Sequence, residues 1–257
     1  MTPSAGITRL SPDILMLHGM TFRIAQISDT HLSAGKPFFV PNFTRIAEGA
    51  AADAPDLLVN TGDISLDGVT CEADLAEARR LHDGLDLPVR YVPGNHDIGD
   101  NQDIPGPHGY PIDAARRQRY RRHFGADWWS LDVPGWRLLA LNAQLFGSDL
   151  EAAQEQEEFV AETVAGVGTR RLALFVHKPL FDRSPDEETL GGRFLNPAPR
   201  RRLLASLAAC RPRVVACGHV HQYRVTEFKG TRHVWGPSTG FVLPDELQPR
   251  YGRLRPA

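Results

Sequence analysis

Residues 22–31 read FRIAQISDTH, an apolar run of strand length that gives way within a few residues to a carboxylate and an imidazole. The same transition recurs down the chain. Residues 56–63 read DLLVNTGD, 89–97 VRYVPGNHD, 172–177 LALFVH and 214–221 VVACGHVH. Each is a short aliphatic run that ends on Asp, Asn or His. Between these runs the pattern is helical: residues 42–53, 71–84, a basic stretch at 113–124, an acidic one at 151–165, and 199–209. Strand and helix in alternation predict a mainly parallel sheet with helices packed on it. A hairpin at residues 128–142, turning at Pro134-Gly135, and an alternating stretch at 223–242 add further β-structure.

The chain has 257 residues and shows no repeat, low-complexity segment or linker, so one domain over 1–257 is expected. Its formal net charge of -2 argues against nucleic acid as a partner, since phosphate contacts dominate such affinity. The three cysteines, Cys71, Cys210 and Cys217, are odd in number and unpaired in spacing, which excludes a disulfide framework and a CxxC metal site. Residues 1–6 carry no basic region leading into an apolar stretch, and no run reaches membrane length. A cytoplasmic protein without a membrane partner is the expectation.

In open α/β sheets, ligands bind beyond the carboxyl ends of the strands. Five polar clusters at such ends would converge there. Their donors are carboxylate, amide oxygen and imidazole, a set that suits Mn, Fe or Zn. An extended Asp-x-His tripeptide directs its first and third side chains to one side, which would pair Asp29 with His31, and likewise His219 with His221. Gly62, Gly94 and Gly218 each precede a polar residue and let the backbone turn sharply. Taken singly, Asp-x-His is a common tripeptide, Gly-Asp a turn and His177 a satisfied strand-end histidine. The conjunction, in this order and at these places, is what points to a site.

The order D-x-H, G-D, G-N-H-D, H, G-H-x-H, from Asp29 to His221, resembles the calcineurin-like metallophosphoesterase superfamily. Within it the chain looks most like the bacterial class III cyclic-nucleotide phosphodiesterases and glycerophosphodiesterases. The resemblance implies an α/β fold, a four-layer αββα sandwich of two mixed β-sheets flanked by helices. It implies that Asp29, His31, Asp63 and His221 hold one metal ion, and that Asp63, Asn95, His177 and His219 hold a second. Asp63 would bridge the two ions (Mn, Fe or Zn). His96 would stand beside the substrate phosphate, and Asp97 would orient His96 through its ring N–H.

The implied activity is hydrolysis of a small-molecule phosphoester, with a phosphodiester or cyclic nucleotide ahead of the alternative of a phosphomonoester or phosphoprotein. A nuclease is disfavoured by the charge. A non-catalytic scaffold is disfavoured because every ligand and His96 are present. Arg116, Arg117, Arg119, Arg121 and Arg122 read as a solvated helix face, or as a basic wall toward an anionic substrate. Arg183 and Arg193 flank the loop after His177 and are candidates to meet phosphate. The loops 99–112, with His108, and 182–199 would form the rim. Trp128, Trp129 and Trp136 read as core, and Cys217 as a small buried hydrophobe.

Overall fold

A computed structural model describes residues 8–9, 16–17, 20–102, 109–188 and 191–244. Two sheets carry the architecture. The first runs β1 (Thr8–Arg9), β4 (Ile24–Ile27), β5 (Leu57–Asn60), β6 (Val89–Tyr91) in spatial order. β4, β5 and β6 are parallel, with Ile24 opposite Leu57 and Ile27 opposite Asn60, and β1 is antiparallel to β4. The second sheet is ordered β11 (Arg224–Phe228), β12 (Thr231–Trp235), β10 (Val214–Cys217), β9 (Arg171–Val176), β8 (Trp136–Leu141), β7 (Trp129–Val133). Its inner strands are parallel and its two edges antiparallel. A two-residue ladder joins β2 (Met16–Leu17) to β3 (Met20–Thr21).

The helices close both outer faces. α1 (Val40–Asp53) and α2 (Glu72–Asp83) are the crossovers of the first sheet, and α3 (Asn95–Ile98) is a single turn after β6. α4 (Ala114–Phe124) also covers that sheet, while α5 (Glu151–Ala165) and α6 (Pro197–Ser206) cover the second. The strand pleat sorts the side chains. Ile24, Leu57 and Val59 meet Trp136, Leu138, Phe175 and Ala216 between the sheets. Ala25, Ile27 and Leu58 face Phe43, Leu75 and Tyr120 on the helices. Leu139, Leu174 and Val215 face Val160 and Leu203 on the other side. The result is the four-layer αββα sandwich. Removing one inter-sheet ring, as in Phe175→Ala, costs about 3–5 kcal/mol in transfer and cavity terms.

Local signals set the helix ends. The Asp113 carboxylate accepts from the Arg116 amide at 2.7 Å and starts α4. Ala54 adopts φ 43° and closes α1 with its N–H on the Ala50 and Ala51 carbonyls. α6 begins two residues before the expected 199, because Pro197 and Pro199 both sit in its first turn, where a missing N–H is harmless. The parallel-sheet expectation holds for the inner strands; the antiparallel edges make both sheets mixed. Among the described residues, no helix is long and apolar enough to cross a membrane.

Candidate metal centre

The site forms where β4, β5, β6, β9 and β10 end. The loops after β4 and β5 run together, with Asp29 N–H on the Gly62 carbonyl (2.9 Å) and His31 N–H on the Asp63 carbonyl (3.0 Å). Gly218 N–H donates to the His177 carbonyl at 2.9 Å, and His219 N–H donates to the Asp29 carboxylate at 3.0 Å. Backbone amides therefore tie the first cluster to the second, the fourth to the fifth and, through the Asp29 carboxylate, the fifth to the first.

The backbone here is left-handed rather than extended. Asp29 (φ 52°), His31 (46°), Asp63 (50°), His219 (70°) and His221 (53°) all have positive φ. Such conformations cost about 1–3 kcal/mol each for residues with a Cβ and persist where the surroundings enforce them. The extended-tripeptide expectation for Asp29–His31 and His219–His221 is thus corrected. Their side chains converge because each ligand lies at a tight turn, not because a pleat aligns them. Glycines make the crowding bearable: a Cβ on Gly94 would overlap Oδ1 of Asp63, and one on Gly218 would overlap the side chains of Ser28 and Asp29.

Two sets of donors result. In one, Asp29, His31, Asp63 and His221 bring ligand atoms within 4.8 Å of one another; in the other, Asp63, His177 and His219 do the same. Asp63 belongs to both. Asn95 joins the second set, its Oδ1 3.2 Å from His177 Nε2. Almost all of these side chains are buried.

Ring orientation is fixed from outside. His177 Nδ1–H donates to the Thr61 carbonyl (2.8 Å), His219 Nε2–H to the Gly192 carbonyl (2.8 Å) and His221 Nδ1–H to the Phe241 carbonyl (3.0 Å). Each ring therefore turns its other nitrogen inward. His177 Nε2 then faces Asp63 Oδ2 at 3.3 Å, Asn95 Oδ1 at 3.2 Å and His219 Nδ1 at 3.1 Å. His221 Nε2 faces Asp29 Oδ1 at 3.3 Å and His31 Nε2 at 3.2 Å. One proton on His177 satisfies one of three acceptors, whereas a metal ion satisfies all of them together. The residues fit a pair of metal ions.

The electrostatics agree. Burial alone raises the Asp29 carboxyl, yet the adjoining His221 and His177 bring it down to about 2. Burial likewise disfavours the charge on Asp63, but His177 and His96 hold it well below the usual carboxylate range. Burial lowers His31 to about 3 and, with the charges of His177 and Lys178, holds His219 far below its ordinary value. His177 is raised to about 9, because Asp63 outweighs its burial. Anionic carboxylates and inward imidazoles, with a proton held on His177, describe a cluster in which protons stand in for stronger cations.

His96 and Asp97 separate in role. His96 Nδ1–H donates to the Leu66 carbonyl at 2.8 Å, its backbone N–H donates to Asp63 Oδ1 at 2.8 Å, and Nε2 stands 4.0 Å from Asp63 Oδ2. Asp97 does not orient the His96 ring. Its carboxylate accepts from the amides of Ile64 (3.1 Å), Ser65 (2.8 Å) and Gly94 (2.8 Å) and from the Ser65 hydroxyl (2.7 Å). The expectation is corrected: Asp97 ties the loop carrying Asp63 to the turn carrying Asn95, and the Leu66 carbonyl sets the His96 tautomer. Burial and the charge of Asp63 push Asp97 up to about 6.

Other expectations resolve individually. Arg117 pairs with Asp127 at 2.7 Å and lies over Trp128, Arg122 reaches Glu72 at 3.0 Å, Arg116 pairs with Asp113, and Arg119 donates to the Gly68 and Val69 carbonyls. These arginines brace α4 against its neighbours and form no wall toward the centre. Arg183 is solvent-exposed, 3.6 Å from Asp182. Trp129 and Trp136 are core, Trp128 packs against it half-buried, and Cys217 is buried. His108 lies outside the described residues.

Sequence reasoning passed over two features. Lys178, buried directly after His177, pairs with Asp100 and donates to Asn101 Oδ1 at 2.6 Å; Asn101 Nδ2 in turn donates to the carbonyls of Ala143, Gln144 and Phe146. A lysine inside the run LALFVHKPL was the available signal, because a buried cation demands a partner. The second is an aromatic rim. Phe241 lies 4.6 Å from His221 and 5.0 Å from His31, stacks on Phe39 at 5.0 Å, and leads to Phe38, which is 71% exposed.

Residues 22–223 match the sequence profile of the calcineurin-like phosphoesterase family. The chain belongs to that family. It is similar to 3',5'-cyclic adenosine monophosphate phosphodiesterase CpdA of Pseudomonas aeruginosa, 26% identical over 252 residues, which are 90% of this chain and 84% of that protein. It is also similar to serine/threonine-protein phosphatase CPPED1 of Danio rerio, 29% identical over 179 residues, 67% of this chain and 54% of that protein. A dimetal phosphatase of known structure from Danio rerio shares the fold with a TM-score of 0.60 at 12% identity, covering 84% of this chain and 87% of that one. As a calcineurin-like phosphoesterase, the chain is a metal-binding hydrolase of phosphoric esters.

Proposed function

We propose that this calcineurin-like phosphoesterase is a phosphodiesterase for small organic phosphodiesters, cyclic nucleotides among them, with a dinuclear metal centre. The observation that carries the reading is the inward nitrogen of His177, which faces Asp63, Asn95 and His219 at once while Asp63 is shared with the second donor set. Asp29, His31, Asp63 and His221 would hold one ion; Asp63, Asn95, His177 and His219 would hold the other. The oxygen and imidazole donors suit Mn, Fe or Zn. Bound there, two such cations supply positive charge opposite the phosphoryl oxygens and acidify a water molecule.

The chain's own residues do the rest. Because the Leu66 carbonyl holds the Nδ1 proton of His96, that ring exchanges protons only at Nε2, the nitrogen turned toward the cluster. Protonated, Nε2 opposes charge on a phosphoryl oxygen and gives its proton to a leaving alkoxide. The backbone amide of the same residue holds Asp63 Oδ1, so acid and shared carboxylate keep a fixed separation. Diester preference draws support from the likeness to a cyclic-nucleotide phosphodiesterase over 90% of the chain.

The test compares bis(p-nitrophenyl) phosphate with p-nitrophenyl phosphate on Mn-loaded protein, each with and without EDTA. Preference for the diester, lost with EDTA, is the expected result. Preference for the monoester moves the assignment to a phosphatase, and hydrolysis indifferent to EDTA rejects the metal centre.

A further inference from the structure

A second cavity lies at the opposite edge of the larger sheet. The metal centre follows the carboxyl ends of β9 and β10, at His177 and Gly218. The cavity is lined instead by the residues that open strands: Arg171 at the start of β9, Arg213 before β10 and Thr231 at the start of β12. It has two joined parts. One is a slot of about 180 Å³, walled by Phe181, Leu204, Leu207, Val215 and Phe228. The other is a wider basin of about 560 Å³ lined by Arg170, Arg171, Arg211, Arg213 and Lys229, with no carboxylate among its lining residues. Arg211, Pro212, Ala208 and Lys229 line both, so the slot opens into the basin.

Two independent features point to an occupant. The first is charge. Arg170 is paired with Asp132, but Arg171, Arg211, Arg213 and Lys229 form no ion pair with another described residue, and all four are exposed. Like charges gathered around one opening repel unless an anion joins them. The second is His233 on β12, 7% exposed and lining the slot. Its ring packs 4.8 Å from Phe181, and its nitrogens make no hydrogen bond with a described residue. The ring is mostly covered, but its nitrogens stay open to the cavity it lines and present a polar edge to whatever fills it. A ligand atom reaching into the slot supplies a partner.

We propose that this cavity binds a small aromatic acid: its carboxylate lies among Arg211, Arg213 and Lys229, its ring lies in the slot, and a polar atom at the far end of the ring bonds to His233. The slot is below the usual range of about 300–1,000 Å³ for pockets that take drug-sized ligands, so it admits a single ring rather than a larger body. The edge-on contact of Phe181 with Phe228 at 5.5 Å, and the tilted one with His233, leave ring faces and edges to pack a flat guest. The site stands independently of the metal centre and of the substrate assigned there.

Calorimetric titration of the full chain with 4-hydroxybenzoate tests this. One-site saturable binding is expected, with benzoate (no far polar atom), phenol (no carboxylate) and acetate (neither ring nor far polar atom) each weaker by about tenfold or more. Ala208→Trp, which fills the mouth of the slot from an exposed position, abolishes the binding, and Arg211→Ser weakens it severalfold. Both variants keep wild-type turnover of bis(p-nitrophenyl) phosphate. Absence of saturable binding by 4-hydroxybenzoate overturns the proposal, as does binding that Ala208→Trp leaves intact or that phenol and acetate match.

Discussion

His219 Nδ1 stands 3.1 Å from His177 Nε2, and the outer nitrogen of each ring donates to a backbone carbonyl, Gly192 for His219 and Thr61 for His177. The pair is pre-arranged for an ion between its members. His219→Ala is expected to remove one of two bound ions and leave the set of Asp29, His31, Asp63 and His221 able to hold the other. Asp63→Asn, which alters both sets, is expected to lose both. Metal analysis of the dialysed proteins separates these outcomes; equal loss in the two variants would mean that the sets do not act as distinct sites.

His96 touches Asp63 through its backbone, which a side-chain change does not remove. His96→Asn is therefore expected to keep its metal content and lower kcat by about 10²–10⁴-fold on a diester with a poor leaving group. Full turnover in that variant would remove His96 from the proton-transfer role.

Asp97 accepts hydrogen bonds from Ile64, Ser65 and Gly94 inside the protein. Asp97→Asn turns one oxygen into a donor facing other donors. A loss of about 2–4 kcal/mol is expected, measured as a shift in the urea midpoint. Its pH–rate profile is expected to match that of the wild type, because the Leu66 carbonyl and not Asp97 holds the His96 ring. A profile shifted without loss of stability would restore Asp97 as the partner of His96.

His82 offers a pH test away from the metal ligands. It lies on the buried face of α2, its Nδ1–H donates to the Ala78 carbonyl at 2.8 Å, and its Nε2 lies 3.1 Å from Asn60 Nδ2. The Asn60 amide is oriented by Gly62 N–H on its Oδ1, so Nε2 is an acceptor with no room for a second proton. Burial, aided by the charge of Arg79, lowers its pKa from 6.5 to about 4. The unfolded chain then binds more protons than the native one between these values, so stability falls as pH drops from about 6.5 to 4. The loss approaches about 3 kcal/mol at the acid end. His82→Gln is expected to flatten that slope relative to the wild type in urea titrations at several pH values; an unchanged slope would place the proton elsewhere.

The exposed Phe38 ring begins the aromatic rim that ends on His31 and His221. Phe38→Ala is expected to raise KM for bis(p-nitrophenyl) phosphate about three- to tenfold, by loss of about 0.5–1.5 kcal/mol of ring packing, with kcat and thermal stability unchanged. Equal KM values would show that substrate does not touch the rim.

Much of this was legible in the sequence because strand ends and ligands are written side by side. The strands cut from FRIAQIS, DLLVN and VVAC put apolar side chains on both faces, Ile24, Leu57, Val59, Val214 and Ala216 between the sheets and Ala25, Ile27, Leu58, Val215 and Cys217 toward the helices. Their terminal Asp, Asn and His residues meet because parallel strands place their ends on one edge. What the sequence hid is longer in range or finer in geometry. The positive φ of Asp29 and His31 depends on hydrogen bonds to the loop of Asp63, and no tripeptide reveals that. Asp97 neighbours His96 in the chain, yet its partners are Ile64 and Ser65, more than 30 residues away. Lys178 and Asp100 are separated by 78 positions, and only the fold shows that each answers the other's charge. Phe241 reads as a residue of a β-like stretch, but its carbonyl fixes the His221 ring.

The most direct test of the central claim is the metal stoichiometry of the Mn-reconstituted chain, measured alongside hydrolysis of bis(p-nitrophenyl) phosphate during titration with EDTA. The account predicts two ions per chain at full activity, with turnover falling as the ions are withdrawn. A chain that binds no ion, or that hydrolyses the diester undiminished after both are gone, would contradict it.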